Sequence, residues 1–292
     1  MRVHTSRREF SVGLASAAAG LLGPRETVAE AKIPPSIIGG VLVGVQSFTY
    51  RLFDFDRMIA SMRSAGISSL ELWGNGKAHP LHPERNPEAD FHAVRRKLDD
   101  AGITVNAYCA NFPGDATADH VEKAFVGAEI LGARILTSST EKKVVPRIDA
   151  AAQRHKIRVG LHNHWLGDAW FKGDKAQNFE GPADYEEAFK DRSPYLGVNL
   201  DIGHWSAAGQ DPVAYSKANH ARIFALHVKD RGADKEHKNT RFGKGATPIK
   251  EVLLAAKAVK FPHAANLEYE MEEQDPTEGV RDSFAYVRRV LG

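Results

Sequence analysis

Between residues 54 and 132 the sequence repeats one unit three times: a helical pattern ends in Ala-Gly or Leu-Gly, and a β-rich run begins within the next three residues. The helical patterns are Asp54 to Ala65 stopped by Gly66, Phe91 to Ala101 stopped by Gly102, and Thr117 to Leu131 stopped by Gly132. Glycine closes helices because it takes the left-handed backbone conformation without a Cβ penalty. The β-rich runs that follow are Ile67 to Trp73, Ile103 to Ala110 and Ile135 to Ser138, and Ile38 to Val45 precedes them. The first of these patterns places Met58, Ile59 and Met62 on one side. Another helix ends over Ala150 to His155, and four more strand-like runs follow, at Val159 to His164, Leu196 to Leu200, Ile223 to Asp230 and Ala265 to Glu270. The repeat is about the size of one strand plus one helix. Eight strands alternating with helices in an unbroken series predict a parallel sheet closed into a (β/α)8 barrel. A doubly wound open sheet is the alternative, but no Gly-rich phosphate fingerprint follows the first strand. No linker divides residues 37–292, which read as a single domain.

The last four runs end in groups that are costly to bury unless paired or metal-bound. They are His162 and His164; Asp201, followed by His204; His227, Lys229 and Asp230; and Glu268 and Glu270. Catalytic groups of such barrels come from the C-terminal strand ends. Side chains alternate along a strand, so His162 and His164 share one face, as do Glu268 and Glu270. Imidazoles with carboxylates suit a divalent ion such as Zn, Mn, Fe or Co better than Ca. Each residue alone has a plainer role open to it: a strand histidine in a hydrogen-bonded core, Asp201 as a helix N-cap, Glu270 in solvent.

Composition narrows the partners. Lys and Arg number 39 against 37 Asp and Glu, a net charge of +2, and no basic block is present, which argues against a nucleic-acid partner. The single cysteine, Cys109, excludes an internal disulfide and a cysteine-cage zinc site, and reads as a small buried residue. Residues 1–31 read as a signal peptide. Arg7-Arg8 precede Phe10, a short Ala/Gly-rich apolar segment runs from Ser11 to Gly23, and Ala29-Glu-Ala31 supplies the small-residue cleavage pattern. Paired arginines ahead of a phenylalanine resemble the twin-arginine export signal, which predicts a periplasmic protein. No other apolar run approaches membrane length, so the mature chain is expected to have no membrane partner.

Leu161-His-Asn-His164, Leu200-Asp-Ile-Gly-His204, Leu226-His-Val-Lys-Asp230 and Leu267-Glu-Tyr-Glu270 resemble the sugar phosphate isomerase/epimerase family. The loops Ala207-Ala-Gly-Gln-Asp-Pro212 and Phe242-Gly-Lys-Gly245 resemble that family too. The likeness runs from about Ile37 to the C-terminus and is strongest after His162. It implies the xylose isomerase-like TIM barrel and one divalent ion (Mn, Co, Mg or Zn). The implied ligands are His162 or His164 from strand 5, then Asp201, His227 and Glu268. It further implies that His204, Lys229, His164 and Glu270 face the substrate, that Glu71 and Trp73 line the pocket, and that a homodimer forms. Family epimerases usually carry a glutamate where His162 stands. The sequence is therefore similar to a His-Asn-His branch associated with keto-sugar or glycoside-derived substrates.

The implied reaction is enolisation. A metal ion polarises a sugar carbonyl, Glu268 or a histidine such as His162 removes the adjacent proton, and Lys229 helps stabilise the enediolate. Returning the proton to the neighbouring carbon isomerises, and returning it to the other face epimerises. Loss of a β-group, as from a 3-keto-glycoside, makes the enzyme a lyase or dehydratase. Two rivals use the same barrel. An endonuclease IV-like zinc phosphodiesterase shares the Asp-x-x-His of Asp201 and His204, but holds about three ions rather than about one. A periplasmic sugar-binding barrel has no turnover. Trp73, Phe112, Trp165, Trp170 and Trp205 are candidate pocket walls, Gly167 to Pro182 a candidate lid, and Arg241 and Lys244 candidate anion contacts.

Overall fold

The computed structural model describes Met1 and residues 33–74, 81–168 and 174–292. The expected signal peptide therefore lies, Met1 apart, outside the described residues, as does Trp170. Eight parallel strands form the barrel: β1 Val41–Gln46, β2 Ser69–Trp73, β3 Thr104–Cys109, β4 Ile135–Ser138, β5 Arg158–His162, β6 Leu196–Asp201, β7 Ile223–Val228 and β8 Ala264–Leu267. Neighbours in sequence are neighbours in the sheet, and β1 pairs with both β2 and β8, which closes the cylinder. Around it lie α1 Phe55–Ala65, α2 Glu88–Ala101, α3 Ala118–Leu131, α4 Val145–His155, α5 Pro182–Phe189, α6 Ile202–Ala207, α7 Pro212–Asn219, α8 Ile249–Ala258 and α9 Thr277–Leu291. The expected (β/α)8 architecture is the one observed.

The glycine stops do what their position predicts. Gly66, Gly102 and Gly132 follow α1, α2 and α3 with φ of 75°, 72° and 73°, and their N–H groups bond back to carbonyls of the last turn. On α1, Met58 and Met62 are fully buried while Ile59 is only half-buried. Helix α4 ends instead on Lys156 in the same left-handed region, φ 54°, so its end carries no glycine signal.

The first strand differs from expectation. Ile38 to Val45 is not one strand, because Gly39 and Gly40 turn the chain with φ of 55° and 85°. Two successive left-handed residues make the tight turn that a hairpin's twist demands. Ile37–Ile38 thus pairs antiparallel with the start of β1, Ile38 opposite Val41. A Cβ on Gly39 would lie 2.3 Å from the Leu291 carbonyl oxygen, so this turn packs directly on the end of α9.

The register brings the chemistry to one rim. Asp201, the last residue of β6, pairs with His227 of β7, and His162, the last of β5, pairs with Asn199 of β6. Glu268 directly follows β8.

At Gly66 only one atom, Arg288 Nη2 at 3.6 Å, lies near an added Cβ, so Gly66→Ala tests backbone conformation alone. The left-handed backbone costs an alanine about 1–2 kcal/mol, partly offset by a stiffer unfolded chain. Urea titration should show the variant about 1 kcal/mol less stable.

Candidate active site

Asp201 divides its carboxylate between two tasks. Oδ1 accepts a hydrogen bond from His204 N at 2.8 Å and caps the short helix α6. Oδ2 is buried, makes no hydrogen bond, and lies 3.1 Å from Lys229 Nζ. The N-cap role and the site role are therefore both filled by one side chain. Asn163 fixes its backbone: Asn163 Nδ2 donates to Asp201 O at 3.0 Å, and Asp201 N donates to Asn163 Oδ1 at 2.9 Å. The middle residue of His-Asn-His thus clasps the end of β5 to the end of β6.

Ligand atoms of His162, Asp201 and His227 lie within 4.8 Å of one another, all on buried side chains. His227 Nδ1 is 3.0 Å from Glu268 Oε2, which adds the fourth expected donor at the edge of the trio. His164 sits elsewhere, in a second trio with His162 and His204. The rings of His162 and His164 meet edge to face at 4.5 Å, so the pair shares one side as alternation predicts.

Asn199, which nothing in the sequence singled out, and Glu71 set the ring nitrogens. The Asn199 amide lies 3.3 Å from His162 Nδ1 and 3.0 Å from His227 Nε2. Glu71, fully buried, is also 2.8 Å from His227 Nε2, and it accepts from Thr137 Oγ1 at 2.6 Å and Asn266 Nδ2 at 2.7 Å. With those nitrogens engaged, Nε2 of His162 remains for an ion, and Nδ1 of His227, 3.0 Å from Glu268 Oε2, turns to an ion only in place of that contact. Glu71 was expected on the pocket wall. It lies behind His227 because its carboxylate is held by three partners inside the barrel, and it orients the imidazole as carboxylates behind metal-ligating histidines do.

Lys229 is 2% exposed and holds three carboxylates at once: Asp201 at 3.1 Å, Glu268 at 3.0 Å and Glu270 at 3.0 Å. Glu270 is therefore drawn to the site and not left in solvent. Burial alone would push the ammonium pKa down, but the three carboxylates outweigh it and hold it above the ordinary value. Burial would likewise raise Asp201, and Lys229 with the imidazoles of His204, His162 and His227 pulls it well below the usual range. Burial and the neighbouring His164 and His227 push His162 well down; burial and Lys229 push His164 down to about 4. Both rings are neutral at neutral pH, the form that ligates metal. For His227, Glu71 and Glu268 outweigh burial and hold the ring well above its ordinary pKa.

These residues fit a divalent cation. Lys229 faces three carboxylates while Glu71 pairs with the His227 ring, so the group carries an excess of two negative charges, which is expensive in a largely buried cluster unless a further cation balances them. The buried atoms Asp201 Oδ2, His227 Nδ1 and Glu268 Oε2 also make no well-directed hydrogen bond, although close charged neighbours surround them.

A cavity of about 480 Å³ opens over the cluster, lined by His162, His164, His227, Glu268 and Glu270, with Trp73, Phe48 and Phe112 as aromatic walls. Trp73 and Phe48 pack edge to face at 4.9 Å. Several expected contacts are elsewhere. His204, 1% exposed, is off the wall because its Nδ1 accepts from Trp165 N at 3.1 Å and its Nε2 is 3.3 Å from Lys229 Nζ. Lys229 is off the wall as well, held back by its carboxylates. Trp205 packs between Tyr185 and Tyr215, and Trp165 meets His237 edge to face. Arg241 is taken up by Glu273 at 2.8 Å. Asp230 accepts from Gly243 N and Gly245 N and so holds its own loop. Cys109 reaches the wall, but burial and Glu71 push its thiol pKa well up, which keeps it un-ionised and unreactive.

The family described as xylose isomerase-like TIM barrel matches residues 59–290. Solved structures share the fold at low identity. A sugar phosphate isomerase/epimerase from Parabacteroides distasonis ATCC 8503 is 20% identical, with a TM-score of 0.62 over 84% of this chain and 92% of that one. The probable 3-DHS dehydratase AsbF from Bacillus anthracis is 15% identical, with a TM-score of 0.65 over 83% and 97%. The IolI protein with a bound zinc atom is 14% identical, with a TM-score of 0.66 over 85% and 97%. No curated protein sequence matches the chain.

Replacing Asn199 by Leu removes the amide that fixes both imidazoles while leaving every candidate ligand in place. Equilibrium dialysis should show Mn or Zn affinity at this centre reduced by roughly 10- to 100-fold.

Proposed function

The chain belongs to the xylose isomerase-like TIM barrel family, and on that footing we propose that it is a metal-dependent isomerase or epimerase of a keto sugar or sugar derivative. The observation that carries this reading is the buried convergence of His162, Asp201 and His227, with Glu268 beside them, at the floor of an aromatic-walled cavity. That volume suits a small molecule, and the walls of Trp73, Phe48 and Phe112 suit the C–H faces of a sugar ring. A divalent ion held by His162, Asp201, His227 and Glu268 supplies Lewis acidity to a sugar carbonyl.

The chain's own groups then divide the work. Glu268, on the cavity wall, takes the proton from the carbon next to the carbonyl. Neutral His164 and the Glu270 carboxylate, also on the wall, hydrogen-bond to sugar hydroxyls. Lys229 acts as a positioning residue: its ammonium keeps Asp201 ionised and aims Asp201, Glu268 and Glu270 at one point. Asn199 and Glu71 keep the two ligating rings in one orientation. With His162 standing where a second catalytic glutamate would be, proton handling falls to the carboxylates that follow β8. Delivery of the proton to the adjacent carbon gives isomerisation, and delivery to the opposite face of the same carbon gives epimerisation. Expulsion of a β-substituent from the same enediolate gives elimination, and product identification by NMR separates the three outcomes.

The test combines metal and base. Exhaustive chelation should abolish turnover of 2-keto or 3-keto sugars, and Mn or Co should restore it. Glu268→Gln should lower kcat by about 10²-fold or more. Substrate recovered from heavy water should carry deuterium beside the carbonyl. Full activity in the stripped protein would overturn the reading.

We propose also that residues 1–31 direct export through the twin-arginine pathway, on the strength of Arg7-Arg8 before Phe10 and the Ala29-Glu-Ala31 pattern. Replacing Arg7 and Arg8 together by lysine should retain a reporter fusion in the cytoplasm, as judged by fractionation.

A further inference from the structure

A second group of metal-capable side chains lies on the rim formed by the segment after β2 and the first turn of α3. It shares no residue with the cluster at the barrel mouth. His82 and Glu84 belong to the segment that leads into α2, and His120 is the third residue of α3. One ligand atom from each of His82, Glu84 and His120 lies within 4.8 Å of the others. The two imidazole rings are 5.5 Å apart, and His120 Nδ1 is 3.4 Å from Glu84 Oε2.

Ordinary packing leaves this group unsatisfied. His120 is 3% exposed, yet its Nε2 has no hydrogen-bond partner. A buried polar atom left without a partner is uncommon and destabilising. The segment around His82, by contrast, is folded by its own bonds. Glu84 N donates to His82 Nδ1 at 3.2 Å, and His82 N donates to Asn86 Oδ1 at 2.9 Å. Those bonds fix the base of the loop and occupy His82 Nδ1, which leaves Nε2 as the nitrogen for a ligand.

We propose that His82, Glu84 and His120 form a second divalent-metal site, of the zinc class, that ties the segment after β2 to α3. Two imidazoles and one carboxylate are a usual three-residue zinc set, with water in the fourth position. Donors around a tetrahedral zinc are about 3.3–3.6 Å apart given bonds of about 2.0–2.2 Å. The half-buried His82 and the exposed Glu84 reach that spacing by side-chain rotation, while His120 stays fixed in its helix. The ion also bears on the cavity. The Phe112 ring packs edge to face on His120 at 5.3 Å, and Phe112 is one of the cavity's aromatic walls. Anchoring His120 therefore anchors that wall.

The full chain, stripped by chelator and then dialysed against zinc chloride, tests this by metal content. About two zinc ions per chain are expected. His82→Gln and Glu84→Gln, both away from the core, should each bring the content to about one. Asp201→Asn should also bring it to about one, and the Asp201→Asn, His82→Gln double variant to about none. Zinc should raise the thermal midpoint of Asp201→Asn but not of the double variant. The proposal is overturned if His82→Gln and Glu84→Gln hold as much zinc as the parent chain, or if zinc stabilises the double variant as strongly as Asp201→Asn. Loss of metal from His82→Gln with none lost from Asp201→Asn would instead count against the centre at the barrel mouth and leave this site standing.

Discussion

A single buried ammonium organises the mouth of this barrel. Lys229 projects from the end of β7 and is held by carboxylates from β6 and from the segment after β8, at 3.0–3.1 Å. Removing a charge from water costs several kcal/mol, and an ion pair repays that only when its geometry is well satisfied. Here three acids face one base, so the group is electrostatically incomplete as a protein cluster and complete once a divalent cation joins it. Lys229 and the neighbouring imidazoles hold Asp201 ionised, and burial keeps His162 and His164 neutral.

The architecture around that point was legible in the sequence where local chemistry sets it. Gly66, Gly102 and Gly132 announced three helix ends because each takes a backbone conformation that other residues avoid. The strand ends announced the site because His162, Asp201, His227 and Glu268 interrupt otherwise apolar runs. Where a signal was weak, the outcome came from long-range packing. Ile38 to Val45 looked continuous, yet the Gly39-Gly40 pair bends it against α9, 250 residues away in sequence.

Within the site, proximity was easier to foresee than orientation. The sequence brought Glu71, His204 and Lys229 to the right rim, but it could not say that each faces inward to a partner. Glu71 is held by Thr137, Asn266 and His227, and His204 by Trp165 and Lys229. Asn163 and Asn199 were missed for the converse reason. An asparagine in or beside a strand has no chemistry to advertise it, and its role exists only once two strand ends are side by side. The alternation of polar residues in His162-Asn-His164 and Asn199-Leu-Asp201 was the one available clue.

The Gly39-Gly40 turn has a practical corollary. It seats the chain's entry into the barrel against Leu291, so both termini of the cylinder sit together at the end remote from the cavity. A tether attached after Gly292 leaves from the end of the barrel opposite the candidate active site. An immobilised or fused form of this protein thus presents its open mouth to solution.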